Sequence, residues 1–535
     1  MTSTLPPHRF TLLATALFAF GWIVLRAHTQ AVTMDEAVTY INWVRPQGFG
    51  IWQARSNNHL LNSLVMRVFT SIFGVSNLTV RSGALIGAAL YISAAYRLSD
   101  LVAPGFLLRW TLFVCLVFNP FIQDFLVAAR GYSLASAFLL WPIALVASFE
   151  MRASREIPAT SDVPTSAEIT TPDGVLWKPL LIVCGQASVL IALSFIANFS
   201  FAFVDGAALL MIFLWACGSM PRESSGANRW NSYLKLAAAC ALPGLFVVAA
   251  LAGRVLTHYP KNELVYGAES FGETLRSLYE ASIYQLNPNL MIQPADLAPF
   301  ITILFLFIGG ISAIRLGQIL STRASVAQGQ ARMLDRLADG IAGTLLLTVA
   351  ASWLAFHVRG LPWPKDRTGI YLVILATLLA GLIAAIPIPT LWGNLSRQVL
   401  TAALFGLAIY FLLCLRVGYF KEWIWNADMD KVYSALASYN RSCGVKSPPV
   451  NWRFDASLNY YRILSGKESF IVFPPDAGPP FAEYPDSQPL YVLYGPEDAD
   501  YPVRHGLSVV YSSKFGTVIA IDPAVCGTQK PPDAP

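Results

Sequence analysis

Long apolar stretches recur along most of the chain, and shorter polar segments separate them. An α-helix needs roughly 20 apolar residues to cross the hydrocarbon core of a bilayer, and most of the stretches approach this length. The pattern therefore predicts about eleven transmembrane helices. The predicted spans cover residues 10–26, 80–98, 109–126, 131–149, 179–197, 199–217, 234–252, 298–315, 339–357, 368–387 and 398–416.

The apolar segment at residues 60–74 differs from these spans because it is shorter and contains Arg67. Its apolar residues recur at helical spacing, which predicts an amphipathic helix lying on the bilayer surface. If this segment crossed the membrane instead, the orientation of every later segment would be reversed.

The composition indicates the same class of protein. Of the 535 residues, 55% are hydrophobic and 13% are charged, whereas charged residues make up about 25% of a typical soluble domain. The sequence thus predicts an all-α polytopic membrane protein. No small-x-small cleavage site follows Arg26, which favours an uncleaved first helix over a signal peptide. The formal net charge of +5 is small and gives no indication of a nucleic-acid partner.

The distribution of basic residues predicts the orientation in the membrane. Residues 315–336 contain four arginines and one acidic residue, which marks a cytoplasmic segment. With an odd number of spans, the N-terminus is then cytoplasmic and the C-terminal region lies outside the plasma (inner) membrane. Arg130, Lys365 and Arg367 fall on the outer side against this bias. Binding of an anionic substrate at the outer face would explain them.

The character of the chain changes after Tyr419. Residues 1–419 form the predicted membrane domain, whereas residues 420–535 alternate helix-like pieces with short strand-like runs and predict a small extracytoplasmic α/β domain. The helix-like pieces are 428–441 and 456–465, and the strand-like runs are 450–454, 470–473, 490–494, 507–512 and 517–521. Cys443 and Cys526 are the only two cysteines of this region. In an oxidising compartment they are predicted to pair.

A polar island occupies the first predicted outer loop, residues 27–79. Asp35 and Glu36 are adjacent, and Asn57, Asn58 and His59 follow. Ionisable groups beside hydrocarbon are expensive, so they are candidates for a functional site. The competing interpretation is structural, because acidic residues also favour the first turn of a helix.

These residues resemble the integral-membrane C-type (GT-C) glycosyltransferases. The resemblance rests on Asp35-Glu36, on the Asn-Asn-His run at 57–59, and on the segments 119–125 and 129–134, which contain Asp124, Arg130 and Tyr132. It points to family 39, which holds the dolichyl-phosphate-mannose protein mannosyltransferases and the bacterial aminoarabinose transferases of lipid A. It covers residues 10–150 well and the later spans by layout, and it implies the GT-C architecture.

The resemblance implies a transferase that moves a hexosyl or pentosyl group from a polyprenyl-phosphate donor to a lipid, glycan or protein acceptor. Asp35 would then take the acceptor proton in a single displacement, with Glu36 as its catalytic neighbour. Arg130 would hold the donor phosphate, and a snorkelling arginine is the alternative. The other residues predicted to bind substrate are Asn58, Tyr132, Lys365 and Arg367. The outer loop 253–297, which includes Tyr266, is long enough to cover the site.

A divalent metal is a further expectation, with Asp124 and His59 as its ligands. Oxygen ligands would favour Mg²⁺, Mn²⁺ or Ca²⁺, and the histidine would also tolerate Zn²⁺. The alternative for Asp124 is a polar cap bonded to the backbone.

Two other functions compete with the transferase. A transporter or flippase of lipid-linked sugars would explain the spans and the outer cations, and a non-catalytic subunit of polysaccharide assembly could keep the same fold. The sequence contains no Walker loop, no dinucleotide-binding glycine motif and no HExxH, which disfavours an ATP-driven pump, a Rossmann-type transferase and a zinc protease.

Overall fold

The membrane domain is an array of long apolar helices. The computed structural model describes residues 7–46, 48–53, 55, 57–156, 177–220, 226–258, 266–284, 290–322, 330–466, 484 and 488–527. The helices of this domain are α1 (Pro7–Thr29), α2 (Met34–Val38), α3 (Leu60–Phe73), α4 (Asn77–Val80), α5 (Ser82–Val102), α6 (Phe106–Phe118), α7 (Pro120–Val127), α8 (Tyr132–Glu156), α9 (Trp177–Ala197), α10 (Ala202–Gly218), α11 (Gly226–Thr257), α12 (Phe271–Ser282), α13 (Ala298–Thr322), α14 (Gln330–Arg359), α15 (Ile370–Ala385) and α16 (Leu391–Leu413).

The number of spans agrees with the sequence. Among the described residues, 10 helices are long and apolar enough to cross a membrane, and the number is 11 if the bent pair α6 and α7 counts as one span. This pair corresponds to the predicted span 109–126 and bends by 56°. Pro120 causes the break because it lacks an amide hydrogen, and the Asn119 side chain caps the new helix by accepting from the Phe121 amide at 2.9 Å.

Helix α3 is the short apolar helix predicted for residues 60–74. It has 14 residues, with Leu60 and Met66 buried and Ile72 and Phe73 exposed. The helix is therefore confirmed as amphipathic, and its position on the bilayer surface stays a prediction.

Helix α5 lies at the centre of the first part of the bundle. It packs against α1, α6 and α8, while α9 packs against α8 and α11, and α16 packs against α6 and α13. Small residues permit the close approach of α5 and α8. A methyl group on Gly87 would lie 2.5 Å from the backbone nitrogen of Leu134. The N-terminal end of α5 thus lies beside the last turns of α1, where Arg81 donates to the Ala27 carbonyl at 3.0 Å, next to the polar island.

The C-terminal region forms a small α/β unit. Helices α17 (Met429–Cys443) and α18 (Asp455–Leu464) precede a three-stranded antiparallel sheet of β1 (Leu490–Tyr494), β2 (Ser508–Ser512) and β3 (Thr517–Ile521), in the order β1-β3-β2. Short helices α19 (Gly495–Asp498), α20 (Tyr501–Arg504) and α21 (Pro523–Cys526) connect and end the strands. The predicted Cys443–Cys526 disulfide is present, with an S–S distance of 2.06 Å.

Two of the five predicted strand-like runs, 450–454 and 470–473, are not among the strands of the described residues. The run 450–454 is not a strand, because Val450 makes only an isolated bridge with Val492 and the chain then turns, with the Phe454 amide donating to the Asn451 carbonyl at 2.9 Å. That turn starts α18. The predicted run at 470–473 lies outside the described residues.

The C-terminal unit packs directly on the first outer loop. The Val32 amide donates to the Tyr461 hydroxyl at 2.9 Å, and the Met34 amide donates to the Asn426 side-chain oxygen at 2.9 Å. A shared apolar cluster joins Ala31 and its neighbours to residues of α17 and α18. The segment that carries Asp35 is thus held between the membrane helices and the C-terminal unit.

Candidate active site

Asp35 lies in the first turn of the short helix α2, which a capping box starts. The Thr33 hydroxyl accepts from the Glu36 amide at 3.3 Å, and the Glu36 carboxylate accepts from the Thr33 amide at 2.9 Å. A threonine followed three residues later by a glutamate is the sequence signature of this cap. The cap fixes the backbone at Asp35 and directs the two neighbouring carboxylates in different directions.

The Glu36 carboxylate is fully occupied by protein donors. Arg81 donates to both of its oxygens, at 2.8 and 2.7 Å, and the Ala129 amide donates to Oε1 at 2.9 Å. Burial raises the pKa of Glu36, but Arg81 and the backbone donors outweigh it and hold the pKa below its usual value. This geometry favours a structural role for Glu36 over the predicted catalytic role.

The Asp35 carboxylate faces two arginines. Its Oδ2 lies 3.2 Å from Arg367 Nη1 and 3.6 Å from Arg130 Nη2. Burial raises the pKa of Asp35, but the two guanidinium groups and a hydrogen bond from Trp423 together hold it below the usual value. Although Oδ2 is buried and close to both guanidinium groups, it accepts no well-oriented hydrogen bond from the described residues. An ionised oxygen is therefore left open to a donor from outside the protein.

Arg130 is delivered to this site by a tight turn between α7 and α8. The turn requires Gly131, which has φ 73° and where a methyl group would lie 2.2 Å from the Ala197 carbonyl oxygen. Arg130 donates to the Thr39 hydroxyl at 3.2 Å and to the Asn57 carbonyl at 3.3 Å. It also donates to the Asn57 side-chain oxygen. Its buried Nε has no partner among the described residues.

Arg367 reaches Asp35 from the turn that precedes α15. Its guanidinium lies over the rings of Tyr266 and Trp423, at 5.1 and 5.6 Å from the ring centres. Tyr266 belongs to the outer loop that was expected to cover the site, and its hydroxyl donates to Asp366 at 2.9 Å. The Nη1 atom of Arg367 that faces Asp35 is also paired with Glu422.

Glu422 is a site residue that the sequence did not identify. Burial raises its pKa to about 7, and nearby Asp35 adds to the rise while Arg367 opposes it. Its position directly after the last span, beside Lys421, was the available signal, because charged residues at membrane depth mark functional sites. The site therefore contains two carboxyl groups that share one guanidinium.

The other predicted substrate-binding residues have different surroundings. Lys365 pairs with Glu273 at 2.7 Å and is 34% exposed. Asn58 is engaged by the loop itself, since its amide donates to the Ile51 and Gln53 carbonyls at 2.8 and 2.9 Å. Asn57 rather than Asn58 contacts Arg130.

His59 and Tyr132 lie together beside the arginines. Their ring centres are 5.7 Å apart, and both residues are buried. Burial lowers the pKa of His59 well below its usual value, and Arg130 and Arg367 lower it further. The surroundings of His59 therefore favour its neutral form. Its Nε2 has no partner in the part of the chain that the structure describes.

The residues predicted to bind a metal do not fit one. Asp124 accepts from Arg26 at 2.6 Å and from the Lys421 amide at 2.9 Å, and it is also paired with Arg416. Both oxygens of Asp124 thus accept from cationic or amide donors. His59 lies beside Tyr132, Arg130 and Arg367 instead. No group of three or more His, Cys, Asp or Glu side chains among the described residues could hold a metal.

The fold has known counterparts among solved structures. The chain is similar to the crystal structure of ArnT from Cupriavidus metallidurans bound to undecaprenyl phosphate, with a TM-score of 0.52 and 10% identity over 97% of this chain and 99% of that chain. The chain has the GT-C fold. The oligosaccharyltransferase of Archaeoglobus fulgidus is also similar, with a TM-score of 0.43 and 12% identity over 86% of this chain and 64% of that chain. No protein-family model and no curated protein sequence matches.

Proposed function

We propose that this multi-pass membrane protein is a glycosyltransferase. It moves a sugar from a polyprenyl-phosphate donor to an acceptor hydroxyl or amine at the outer face of the plasma (inner) membrane. The observation that carries the proposal is the buried Asp35 Oδ2, which lies between Arg130 and Arg367 and accepts no well-oriented hydrogen bond from the described residues. The GT-C fold supports it, because the structurally similar ArnT was crystallised with undecaprenyl phosphate.

The two arginines provide a site for the donor phosphate. A guanidinium forms paired, charge-assisted hydrogen bonds to phosphate oxygens, and burial strengthens these bonds because little water competes for them. Arg130 is held in place by Thr39 and Asn57, and Arg367 by the rings of Tyr266 and Trp423. Both cations are therefore positioned before the donor binds. They stabilise the negative charge that collects on the phosphate as it leaves.

Asp35 provides the site for the acceptor. An acceptor hydroxyl or amine that donates to Oδ2 would satisfy this buried oxygen and point its lone pair at the anomeric carbon. In one displacement, the bond from the acceptor to the anomeric carbon forms and the bond from that carbon to the phosphate oxygen breaks. The acceptor proton passes to the carboxylate, and polyprenyl phosphate leaves.

Glu422 tunes the phosphate site. When its carboxyl is ionised, it neutralises part of the charge of Arg367, and when it is protonated, Arg367 is free to bind the donor. Its pKa of about 7 places this change within the physiological range. We assign Glu422 as a positioning residue for Arg367.

The orientation follows from the arginine-rich segment 315–336, which predicts a cytoplasmic N-terminus and an extracytoplasmic C-terminal unit. Asp35 then faces the outer side, where the polyprenyl chain would lie in the outer leaflet. The acceptor class is a lipid, a glycan or a protein of the envelope.

The experiment uses the full-length protein in proteoliposomes with a panel of polyprenyl-phosphate sugars and an extract of the envelope as the acceptor source. A transferase releases polyprenyl phosphate and forms a new glycoside only when the acceptor is present, and mass spectrometry detects both products. A transporter would move the intact donor across the bilayer without releasing the carrier. Movement without release, for every donor of the panel, would overturn the proposal and favour the transporter.

A further inference from the structure

A cavity lined with arginines lies at the end of the bundle opposite the candidate active site. Its volume is about 420 Å³. It is formed where α1 begins, α5 ends, α6 begins and α8 ends. The charged residues that line it are Arg9, Arg97, Asp100, Arg109 and Arg152.

The course of the helices separates this cavity from Asp35. Helix α1 starts beside the cavity and ends at Thr29, shortly before α2. Helix α5 starts next to Arg81, which binds Glu36, and ends beside Asp100. Two of the helices that form the bundle thus have one end at each site. Since both helices are long enough to cross a membrane, the cavity opens at the opposite membrane face, which is the predicted cytoplasmic face.

The cavity has an excess of positive charge. The Asp100 carboxylate forms ion pairs with two arginines, at 3.3 Å from Arg9 Nη2 and 3.2 Å from Arg109 Nη1. The lining contains four arginines and one carboxylate among the described residues, which leaves three positive charges in excess. The positive-inside bias explains cations at cytoplasmic helix ends, but it does not require four of them to converge on one cavity.

Exposed apolar side chains lie on the same helix ends as the arginines of the cavity, although they do not line it. Phe10, Phe106 and Leu107, which are sequence neighbours of Arg9 and Arg109, are 66%, 49% and 47% exposed. A ligand at this place would meet arginines on one side and an apolar, lipid-facing surface on the other. This combination suits an amphipathic anion, because acyl chains can lie against the apolar residues while the head group enters the cavity.

We propose that this cavity binds the phosphate head group of an anionic phospholipid from the cytoplasmic leaflet. The proposal is independent of the transferase function, because none of the lining residues belongs to the candidate active site. Guanidinium groups form paired hydrogen bonds with phosphate oxygens, and four of them around one cavity can replace the water that the phosphate loses.

The test measures lipid binding to the full-length protein in detergent by native mass spectrometry. The probes are phosphatidylglycerol and phosphatidylcholine, and inorganic phosphate is added as a competitor. The test variant is Arg97→Gln with Arg152→Gln, because neither of these arginines is paired with Asp100 in the structure. The matched control is Arg332→Gln, which removes an exposed arginine near the start of α14 that does not line the cavity.

Each guanidinium that donates to the phosphate inside the cavity should strengthen binding by a factor of about five, whereas an exposed arginine outside the cavity makes no such hydrogen bonds. We therefore expect the double variant to bind phosphatidylglycerol about 25-fold more weakly, with phosphatidylcholine binding unchanged and the control like the wild type. Competition by inorganic phosphate at millimolar concentration would uphold the phosphate site but assign it to a soluble ligand. Equal loss in the control, or undiminished preference for phosphatidylglycerol in the double variant, would overturn the proposal. Circular dichroism verifies that the double variant is folded.

Discussion

Replacing Glu36 with glutamine tests whether this residue is structural or catalytic. In the wild type, each carboxylate oxygen accepts two hydrogen bonds: Oε1 from Arg81 and the Ala129 amide, and Oε2 from Arg81 and the Thr33 amide. An amide group in either orientation would place an NH₂ against two N–H donors. The substitution also leaves the fully buried Arg81 without its counter-ion.

The expected cost follows from these losses. Removing one partner of a buried ion pair typically destabilises a protein by about 3–5 kcal/mol, because the remaining charge is desolvated and unpaired. Glu36→Gln should therefore lower the free energy of unfolding by about 3–5 kcal/mol. The activity of the molecules that stay folded should remain near that of the wild type.

The pH dependence gives a second readout. The pKa of Glu36 is held below its usual 4.5 in the folded protein. The ion pair thus contributes its stability above pH 4.5, and the contribution is lost as the pH falls through the lower folded-state value. The variant should lack this acid-dependent loss.

The assay is denaturant unfolding in detergent followed by tryptophan fluorescence, with activity measured on the same preparation. The matched control is Glu280→Gln, which removes a carboxylate from an exposed pair with Arg276 and should change stability little. A Glu36→Gln protein that unfolds like the wild type but is inactive would refute the structural assignment and restore the catalytic one.

Three further predictions concern the site and the C-terminal unit. In a binding titration of the wild type, donor affinity should fall by up to about tenfold per pH unit above 7, because ionised Glu422 competes with the phosphate for Arg367. Glu422→Gln should abolish this pH dependence. Gly131→Ala should weaken donor binding, because its methyl group would meet the Ala197 carbonyl and displace Arg130. In the control Gly206→Ala, the methyl group meets nothing within 4 Å, so the donor affinity measured by titration should stay unchanged. Cys443→Ser should lower the stability of the C-terminal unit by about 4 kcal/mol, because the disulfide closes a separation of 83 residues, and an unchanged melting curve would contradict this.

The membrane helices could be predicted because their signals are local. Span length and apolar content are properties of one segment, and the bend at Pro120 follows from one residue. The Cys443–Cys526 pairing was predictable because these were the only two cysteines in the region.

The partners of Glu36, Asp124 and Glu422 could not be predicted because they lie far away along the chain. Asp124 binds Arg416 from 292 positions away, and Glu422 meets an arginine 55 positions earlier. Nothing in the local pattern around these acids shows which arginine neutralises them. A buried carboxylate whose two oxygens both accept hydrogen bonds from the protein and one that keeps an unbonded oxygen look alike in the sequence, although only the second can accept a hydrogen bond from a ligand.

The most direct test of the account compares chemistry and donor binding in Asp35→Asn. The substitution keeps the shape of the side chain and removes the charge that receives the acceptor proton. Single-turnover transfer should fall by about 10²–10⁴-fold. The donor Kd should stay the same or decrease, because Arg130 and Arg367 lose a competing carboxylate. Asp430→Asn, an exposed change in α17, is the matched control. Wild-type transfer by Asp35→Asn, or a loss of donor binding as large as the loss of rate, would contradict the account.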